Sequence, residues 1–324
     1  MHGFRRALTT ALCLLVLLST MQARAEPAEV IVGTYVNKIQ DVSFRENRYV
    51  VDFYIWFRWK PQGPLADYKP LESFEIMNGR VDGKTSVVEK KIGDVNYASA
   101  RITATINENW DLTRFPFDWH RTGLRIEDSS LTALDLIFVP DKTNSRLGDE
   151  IDLAGWTAAN FDSSVQSRVY QTNYGDTSLP TNAHSEYSRY LISWDLDREG
   201  PGAAVKLLST VILATGVAFV SFMVKPSDLD ARFGMGVGAL FAVAASAFVV
   251  SASVPDSASL TVADRLHMVA LGFIFLTLLL SALCLRLEVR GNEELAFRID
   301  HWCLAILPVL FYGWVAWAIL AASR

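Results

Sequence analysis

The sequence predicts an all-β sandwich of about ten strands, followed by an all-α bundle of four transmembrane helices. Before Gly200, short runs of alternating apolar and polar residues are separated by turn residues, a pattern typical of half-buried strands. After Gly200, four apolar segments each approach the ~20 residues that a helix needs to cross a bilayer. Hydrophobic residues make up 51% of the chain and charged residues only 20%, which indicates a membrane protein with a sizeable polar part.

The first 25 residues predict an export signal that is cleaved before Glu26. Two arginines precede an apolar run, and the segment ends in a small-x-small triplet. The cysteines all fall in this signal or in later apolar segments: Cys13, Cys284 and Cys303. The exported domain is therefore expected to contain no disulfide and to be held together by core packing.

The sandwich is predicted over residues 26–199, and its clearest strand runs from Tyr49 to Trp59. Every odd position of this strand is apolar, so the odd side chains are expected to face the core. Four further runs with similar alternation begin at Arg101, Thr122, Leu134 and Arg189. Short strands of this kind, separated by turns, are typical of a β-sandwich.

The bundle is predicted over residues 200–324, with helices at about 203–224, 233–254, 268–285 and 302–322. Basic residues are concentrated between the first and second spans and between the third and fourth. Arg265 alone lies between the second and third spans. The positive-inside rule therefore places the sandwich and both mature termini on the non-cytoplasmic side.

The second span is unusual because Gly, Ala, Val and Ser replace the Leu and Ile of most membrane anchors. Residues spaced by three and four positions form one stripe along a face of this helix. Their side chains are small except for two phenylalanines: Gly234, Gly238, Phe241, Ala245, Phe248 and Ala252. If copies of this helix surround an axis, the small residues leave a path and the phenylalanines form apolar constrictions. Close packing of neighbouring helices explains the same stripe, so spacing alone leaves both interpretations open.

Catalysis is not indicated by the motifs of the chain. None of the five histidines is paired at metal-ligand spacing, and HExxH, GxSxG and phosphate-loop motifs are absent. We therefore expect no enzyme activity, no metal site, no cofactor and no nucleic-acid partner. His120 is interpreted as a surface histidine in a turn.

Several motifs resemble the pentameric ligand-gated ion channel (Cys-loop receptor) superfamily, in its bacterial branch without a disulfide-closed loop. They are the octet DLTRFPFD (111–118), the strand that ends in Trp59, the pair Gly155-Trp156 and the order of the four spans. This resemblance covers essentially the whole mature chain. It implies a homopentamer in a bacterial inner membrane, with a periplasmic ligand-binding sandwich and a pore lined by the second span. The implied partners are an unknown small-molecule ligand or protons, permeant inorganic ions and membrane lipid.

The resemblance also implies which residues couple the sandwich to the pore: Asp41, Phe115, Pro116, Phe117, Asp118, Arg198 and Pro255. The FPFD core is expected at the base of the sandwich, against the linker from Pro255 to Ala263. Asp41 is expected to flank that linker from the turn after the first strand, and Arg198 to bind nearby acidic groups. An arginine held in this way at a domain junction is a known kind of switch element. The sequence leaves open whether Pro116 is cis.

A ligand site is expected at the subunit interface, formed by Tyr54, Trp56, Glu127, Asp128, Ser129, Tyr170 and Tyr174. The sequence departs from amine-binding members here, because the main cage position is acidic or hydroxylic and the hairpin lacks vicinal cysteines. An amine held by Asp128 and Tyr170 stays one interpretation. Gating by protons at the acidic groups around Glu127 is another, and Tyr170 and Tyr174 are alternatively ordinary hairpin side chains.

Asp230 and Arg232, at the inner mouth, give opposite predictions for ion selectivity. A ring of Asp230 carboxylates would concentrate cations, and cation-selective members resemble this sequence in carrying an acidic ring there. The run Ala231-Arg232-x-Gly234 resembles anion-conducting members, and Arg232 side chains that faced the axis would favour anions. We expect cation selectivity. An anion channel of the same fold and a non-conducting receptor or scaffold are the alternatives, the last because the stripe carries no hydroxyl.

Overall fold

The structure is a computed structural model that describes residues 26–172, 175, 177, 184–255 and 259–323. The predicted export signal and Tyr174 lie outside the described residues. Within them, ten strands precede four long helices, so the predicted succession of an all-β and an all-α part is confirmed.

The ten strands form two sheets. Their bounds are β1 (Ala28–Ser43), β2 (Arg48–Trp59), β3 (Phe74–Ile76), β4 (Gly79–Ile92), β5 (Val95–Asn107), β6 (Trp119–Asp128), β7 (Leu136–Pro140), β8 (Arg146–Leu147), β9 (Trp156–Tyr170) and β10 (Ser185–Arg198). The first sheet has the order β4-β5-β2-β1-β7, with β8 also paired to β1, and the second has the order β3-β6-β10-β9. Neighbouring strands are antiparallel, except where β1 pairs with β7 and β8.

One apolar core fills the space between the two sheets. The odd side chains of β2 are all buried, which confirms the orientation that the alternation predicts: Tyr49, Val51, Phe53, Ile55, Phe57 and Trp59. Tyr190 and Trp194 of β10 close the core from the second sheet. Burying a large apolar side chain contributes about 1.5–3 kcal/mol relative to leaving it exposed, so a core of this size stabilises the sandwich strongly.

Four helices follow the sandwich: α1 (Gly202–Val220, continued by a 3-10 turn to Met223), α2 (Leu229–Ser253), α3 (Val262–Val289) and α4 (Glu293–Ala322). Each is long and apolar enough to cross a membrane. The predicted starts of α2, α3 and α4 are wrong, because helical hydrogen bonding extends into polar turns beyond the apolar window. At α3, for example, Thr261 and Asp264 form a capping box that begins the helix well before Met268.

The helices are packed so that α2 and α4 lie apart. α2 packs against α1 and α3. α4 packs against the same two helices but makes few contacts with α2. Along most of their length, α1 and α3 therefore separate α2 from α4. This leaves each of these two helices with a broad face that the subunit itself does not cover.

Candidate functional site

The predicted stripe of α2 lies on the uncovered face of the helix. All six of its residues are exposed in the subunit, and the two phenylalanine rings, Phe241 and Phe248, are 68% and 76% exposed. The opposite face is buried and includes Ala239, Val243 and Val250. The stripe therefore has no packing role within the described part of its own subunit.

The glycines of α2 differ in what surrounds them. At Gly236, an added Cβ would come within 2.5 Å of the Leu278 side chain on α3, so this glycine lies in a close helix contact and a larger residue would require Leu278 to shift. At Gly234 and Gly238, an added Cβ would meet nothing within 4 Å. Close packing within the subunit accounts for the first glycine but not for the two glycines of the stripe.

The two charged residues predicted to set selectivity lie on opposite sides of α2. Asp230 is exposed and one turn before Gly234, on the face of the stripe. Arg232 is buried, and its guanidinium donates to both carboxylate oxygens of Asp300 on α4, at 2.8 Å to one of them. It also donates to the carbonyl of Val224 at 3.0 Å. The alternative in which Arg232 side chains face the axis is therefore wrong, because Asp300 neutralises this charge inside the bundle.

Sequence reasoning missed Asp300, although the chain offered a signal. An acidic residue at the edge of an apolar segment is costly in a membrane unless it is paired, so it indicates a buried partner. Finding that partner required knowing which helix ends meet.

The base of the sandwich contains a buried ion pair. Asp118 accepts hydrogen bonds from Arg198, at 2.8 Å from Nε and 3.3 Å from Nη2. The guanidinium also lies over the ring of Trp156, at 4.2 Å from its centroid, and over that of Phe115, at 5.1 Å. Hydrogen bonds and aromatic faces thus hold Arg198 in one position at the end of β10.

His120 extends this cluster, contrary to its interpretation as a surface residue. The ring is buried against Phe44, Trp110 and Trp156, and its Nε2 lies 2.6 Å from Oδ2 of Asp118. Burial raises the pKa of Asp118, but the hydrogen bonds from His120 and Arg198 outweigh burial and hold this pKa below its usual range. Asp118 therefore stays ionised and keeps both partners.

The FPFD loop contacts the helical bundle directly. The carbonyl of Phe115 accepts a hydrogen bond from the N–H of Ala263, at the start of α3, at 3.2 Å. The ring of Phe115 is buried in the core of the bundle together with Leu112, and Phe117 packs against the same core. The Phe115-Pro116 bond, which the sequence left open, is cis. The loop therefore joins the base of the sandwich to the helix that follows the α2–α3 linker.

Contacts on either side of this loop complete the junction. Arg45, in the turn between β1 and β2, donates to the carbonyl of Ala252 near the end of α2 at 3.4 Å. Asp41 lies in β1 rather than in the turn after it, because this strand extends to Ser43, and its side chain is exposed. Pro255 follows the end of α2, and the linker residues 256–258 lie outside the described residues.

Two of the predicted ligand-site residues meet on the second sheet. The Tyr170 hydroxyl donates to the buried carboxylate of Glu127, with O–O distances of 3.1 and 3.2 Å. Arg189, which the sequence analysis did not identify, donates to the same carboxylate at 2.6 Å and to the Tyr170 oxygen at 2.8 Å. Burial raises the pKa of Tyr170, and the Glu127 charge adds to this effect. In this cluster the charges of Glu127 and Arg189 are paired, and Tyr170 is the partly exposed side chain beside them.

Asp128 belongs to a different network, so the prediction that it holds an amine together with Tyr170 is wrong. Its carboxylate is 2% exposed and accepts hydrogen bonds from the Tyr68 hydroxyl at 2.8 Å and the Ser73 hydroxyl at 2.6 Å. It also accepts two backbone N–H groups of the turn after β6. A carboxylate with four local donors has its bonding capacity filled. Ser129 is exposed, and its hydroxyl donates to the carbonyl of Ser73.

The aromatic residues of β2 lie on the outer face of the first sheet. Tyr54 is 37% exposed, with the guanidinium of Arg101 at 5.8 Å from its ring centroid. The Trp56 ring lies against Gly33, where an added Cβ would come within 2.4 Å of the indole, and its N–H donates to Asp141 at 3.1 Å. Tyr54 is thus the accessible aromatic of this pair. It lies on the other sheet from Glu127, so the two come together only if one subunit meets the next.

Comparisons with known proteins give the relatives of this chain. No family model matches it. Gamma-aminobutyric acid receptor subunit rho-1 of Homo sapiens is 25% identical over 219 residues, which are 67% of this chain and 43% of that subunit. Glycine receptor subunit beta of Rattus norvegicus is 20% identical over 253 residues, 71% of this chain and 49% of that subunit. Neuronal acetylcholine receptor subunit alpha-10 of Rattus norvegicus is 21% identical over 294 residues, 83% of this chain and 62% of that subunit. The chain thus spans about half the length of the curated relatives that it matches.

Proposed function

We propose that this chain, a relative of the pentameric ligand-gated ion channels in sequence and in fold, is one subunit of a homopentameric channel whose pore is lined by α2. Its similarity to receptor subunits, together with a ten-stranded sandwich and four apolar helices, confirms the resemblance that the sequence predicted. The relatives are receptors rather than enzymes, and no catalytic role is proposed. We place the protein in a bacterial inner membrane with the sandwich in the periplasm.

The observation that supports a pore best is the uncovered stripe of α2. Gly234 and Gly238 face open space within the subunit, so helix packing there does not explain them. A ring of such helices leaves room for ions at the glycines and narrows at Phe241 and Phe248. Apolar constrictions of this kind gate conduction by excluding water.

Cation selectivity is supported by the positions of Asp230 and Arg232. The carboxylate lies on the face of the stripe, whereas the guanidinium is bound to Asp300 on the opposite side of α2. A ring of Asp230 side chains therefore dominates the potential at the inner mouth and attracts cations. Similarity to the gamma-aminobutyric acid and glycine receptor subunits favours an anion channel, which stays the alternative together with a non-conducting receptor.

Ligand binding is proposed at the contact between subunits. One subunit would contribute the cluster of Glu127, Tyr170 and Arg189, and the next would contribute Tyr54. The ligand is an unknown small molecule or protons, and it shifts the channel toward the open state only by its greater affinity for that state. The junction around Phe115 and Arg198 would transmit the change to α2 and α3.

The proposed pore is tested by ion flux into liposomes that contain the full-length protein, with potassium and chloride gradients measured separately. We expect Phe241→Ala to raise the resting flux, because it removes a constriction. Phe275→Ala is the matched control, since Phe275 is 64% exposed on α3 but lies outside the stripe. Equal flux in both variants would contradict the constriction at Phe241, and no flux under any condition would favour the non-conducting receptor.

The proposed selectivity is tested by the reversal potential of the same channel. Asp230→Asn should shift the reversal potential away from the cation equilibrium value, because the acidic ring is lost. An unchanged reversal potential would count against a role for this ring.

A further inference from the structure

A histidine is buried inside the helical bundle, near the end of α3 that meets the sandwich. His267 is 2% exposed, and among the described residues no carboxylate lies within ion-pair distance of its ring. An ionisable side chain inside a membrane-spanning helix is costly, and it is usually retained for a specific role. Neither the stripe of α2 nor the proposed ligand site uses this residue, so its partners indicate what it does.

Both ring nitrogens of His267 form hydrogen bonds, one within α3 and one to α2. Nδ1 lies 2.7 Å from the carbonyl oxygen of Ala263, one turn earlier in α3, and Nε2 lies 3.0 Å from the hydroxyl oxygen of Ser246 on α2. The other serines of α2 behave differently, because the hydroxyls of Ser251 and Ser253 donate to carbonyls of their own helix. Ser246 instead reaches across to α3.

The chemistry of these partners determines where the ring proton lies. A carbonyl oxygen only accepts hydrogen bonds, so Nδ1 carries the proton and donates to Ala263. A charged ring without a carboxylate partner would be costly inside the bundle, so Nε2 is unprotonated and accepts from the Ser246 hydroxyl. The imidazole of His267 therefore has one donor and one acceptor, and both are used.

Ala263 continues this chain of hydrogen bonds into the FPFD loop. Its N–H belongs to the first turn of α3, where a helix leaves its own donors without partners, and it donates to the carbonyl of Phe115 at 3.2 Å. All three hydrogen bonds thus point in one direction, from the hydroxyl on α2 through the imidazole ring to the loop. This path does not pass through the linker between α2 and α3.

We propose that His267 is a positioning residue that couples the FPFD loop to α2 through this chain of hydrogen bonds. Ser246 directly follows Ala245 of the exposed stripe, so its bond to His267 restrains the direction in which the stripe faces. When the loop shifts, the start of α3 shifts with it, and the ring transmits that displacement to α2. Hydrogen bonds that share a direction polarise one another, which strengthens the path as a unit. The coupling role rests on the proposed channel, whereas the chain of hydrogen bonds does not.

The first test is NMR spectroscopy of the full-length protein in liposomes at neutral pH, with isotope-labelled histidine nitrogens. His267→Gln assigns the resonances of this ring. In the wild type, Nδ1 should be protonated and Nε2 should be an unprotonated, hydrogen-bonded acceptor. Ser246→Ala should shift the Nε2 resonance toward the value of a free acceptor, whereas Ser246→Thr, which keeps the hydroxyl, should not. A proton on Nε2 in the wild type, or the same shift in both variants, would overturn the proposal.

The second test is hydrogen exchange of the backbone amides, which needs no variant of His267. In Ser246→Ala, exchange in the FPFD loop and the first turn of α3 should rise by roughly two- to tenfold, the factor that one hydrogen bond is worth. Ser251→Ala is the matched control, because that hydroxyl binds its own helix, and it should leave this exchange unchanged. An equal rise in the two variants, or no rise in Ser246→Ala, would overturn the proposal.

Neither test requires that the protein conducts ions. A protein that gives both expected results but shows no ion flux would contradict the proposed channel and leave the link between the loop and α2 in place. A protein that conducts ions but fails either test would contradict the role of His267 and leave the channel in place.

Discussion

Arg198 and Arg232 each bind an aspartate through both carboxylate oxygens, yet the surroundings of the two pairs differ. The Arg198 side chain is 14% exposed, and its partner Asp118 also contacts His120 at the edge of the sandwich. Arg232 is fully buried and joins α2 to α4 inside the bundle. In the first pair the Arg198 guanidinium keeps some access to water and Asp118 also binds His120, whereas in the second the Arg232 guanidinium is closed to water and also donates to the carbonyl of Val224.

Because of this difference, the Arg198–Asp118 pair can rearrange, whereas the Arg232–Asp300 pair holds α2 and α4 together. Removing one member of a buried pair leaves an uncompensated charge, and the cost rises as water is excluded. Around Arg198, three aromatic rings and the solvent offer partial compensation. We therefore interpret the Arg198 pair as part of the proposed coupling apparatus, and the Arg232 pair as a fixed link that orients α2, the proposed pore helix.

The largest effect is expected from Asp300→Asn. This change leaves the guanidinium of Arg232 uncompensated and should lower the free energy of unfolding by about 3–5 kcal/mol. Equilibrium unfolding in mixed detergent micelles measures it. Asp94→Asn is the control, because Asp94 is 79% exposed in a loose pair with Lys60 and its loss should cost less than about 1 kcal/mol.

A double variant separates a lost interaction from an uncompensated charge. Arg232→Leu combined with Asp300→Leu removes both charges and should recover most of the stability. If the double variant is as unstable as Asp300→Asn, the pair stabilises the bundle by its own attraction, and the interpretation of an uncompensated charge is contradicted.

A smaller effect is expected from Arg198→Gln. Asp118 keeps His120 as a partner, so the loss should be about 1.5–3 kcal/mol, the range for hydrogen bonds to charged groups. In the same unfolding assay, Arg121→Gln is the control, because Arg121 is paired with Asp195 at a site where its side chain is 45% exposed. If Arg198→Gln lowers the free energy of unfolding as much as Asp300→Asn does, the proposed difference between the two ion pairs is contradicted.

The coupling role of Arg198 has its own measurement. In liposomes, Arg198→Gln combined with Phe241→Ala should keep the raised resting flux of Phe241→Ala, since the constriction is absent in both. Disappearance of this flux would show that Arg198 maintains the pore itself.

The smallest effect is a dependence of stability on acid pH. The pKa of Asp118 is lowered in the folded state, whereas an unfolded aspartate has a pKa of about 3.9. The resulting stabilisation is fully present above the unfolded value and is lost as the pH falls through the folded value. The difference in the free energy of unfolding between wild type and Asp118→Asn should therefore shrink from pH 5 toward pH 3. A difference that stays constant over this range would contradict the assignment to Asp118.

The architecture could be predicted because it depends on local periodicity. An alternation of two residues in β2 and apolar runs in the four spans each reflect a repeat within one element. The exposed stripe of α2 follows from the same kind of repeat. Helix ends were predicted less well, since a capped polar turn extends α3 and a polar turn without a side-chain cap extends α4 beyond the apolar window.

The sequence by itself thus determined the two-part fold, the four spans and which residues of α2 share a face. Only the tertiary structure decided the partners of the charged groups. Asp300 lies 68 positions from Arg232, and Arg189 lies 62 positions from Glu127, so no local pattern connects them. It also decided that His120 is buried and that Asp128 is already bound. Burial and pairing depend on contacts between distant segments, and those contacts exist only once the sheets and helices have packed.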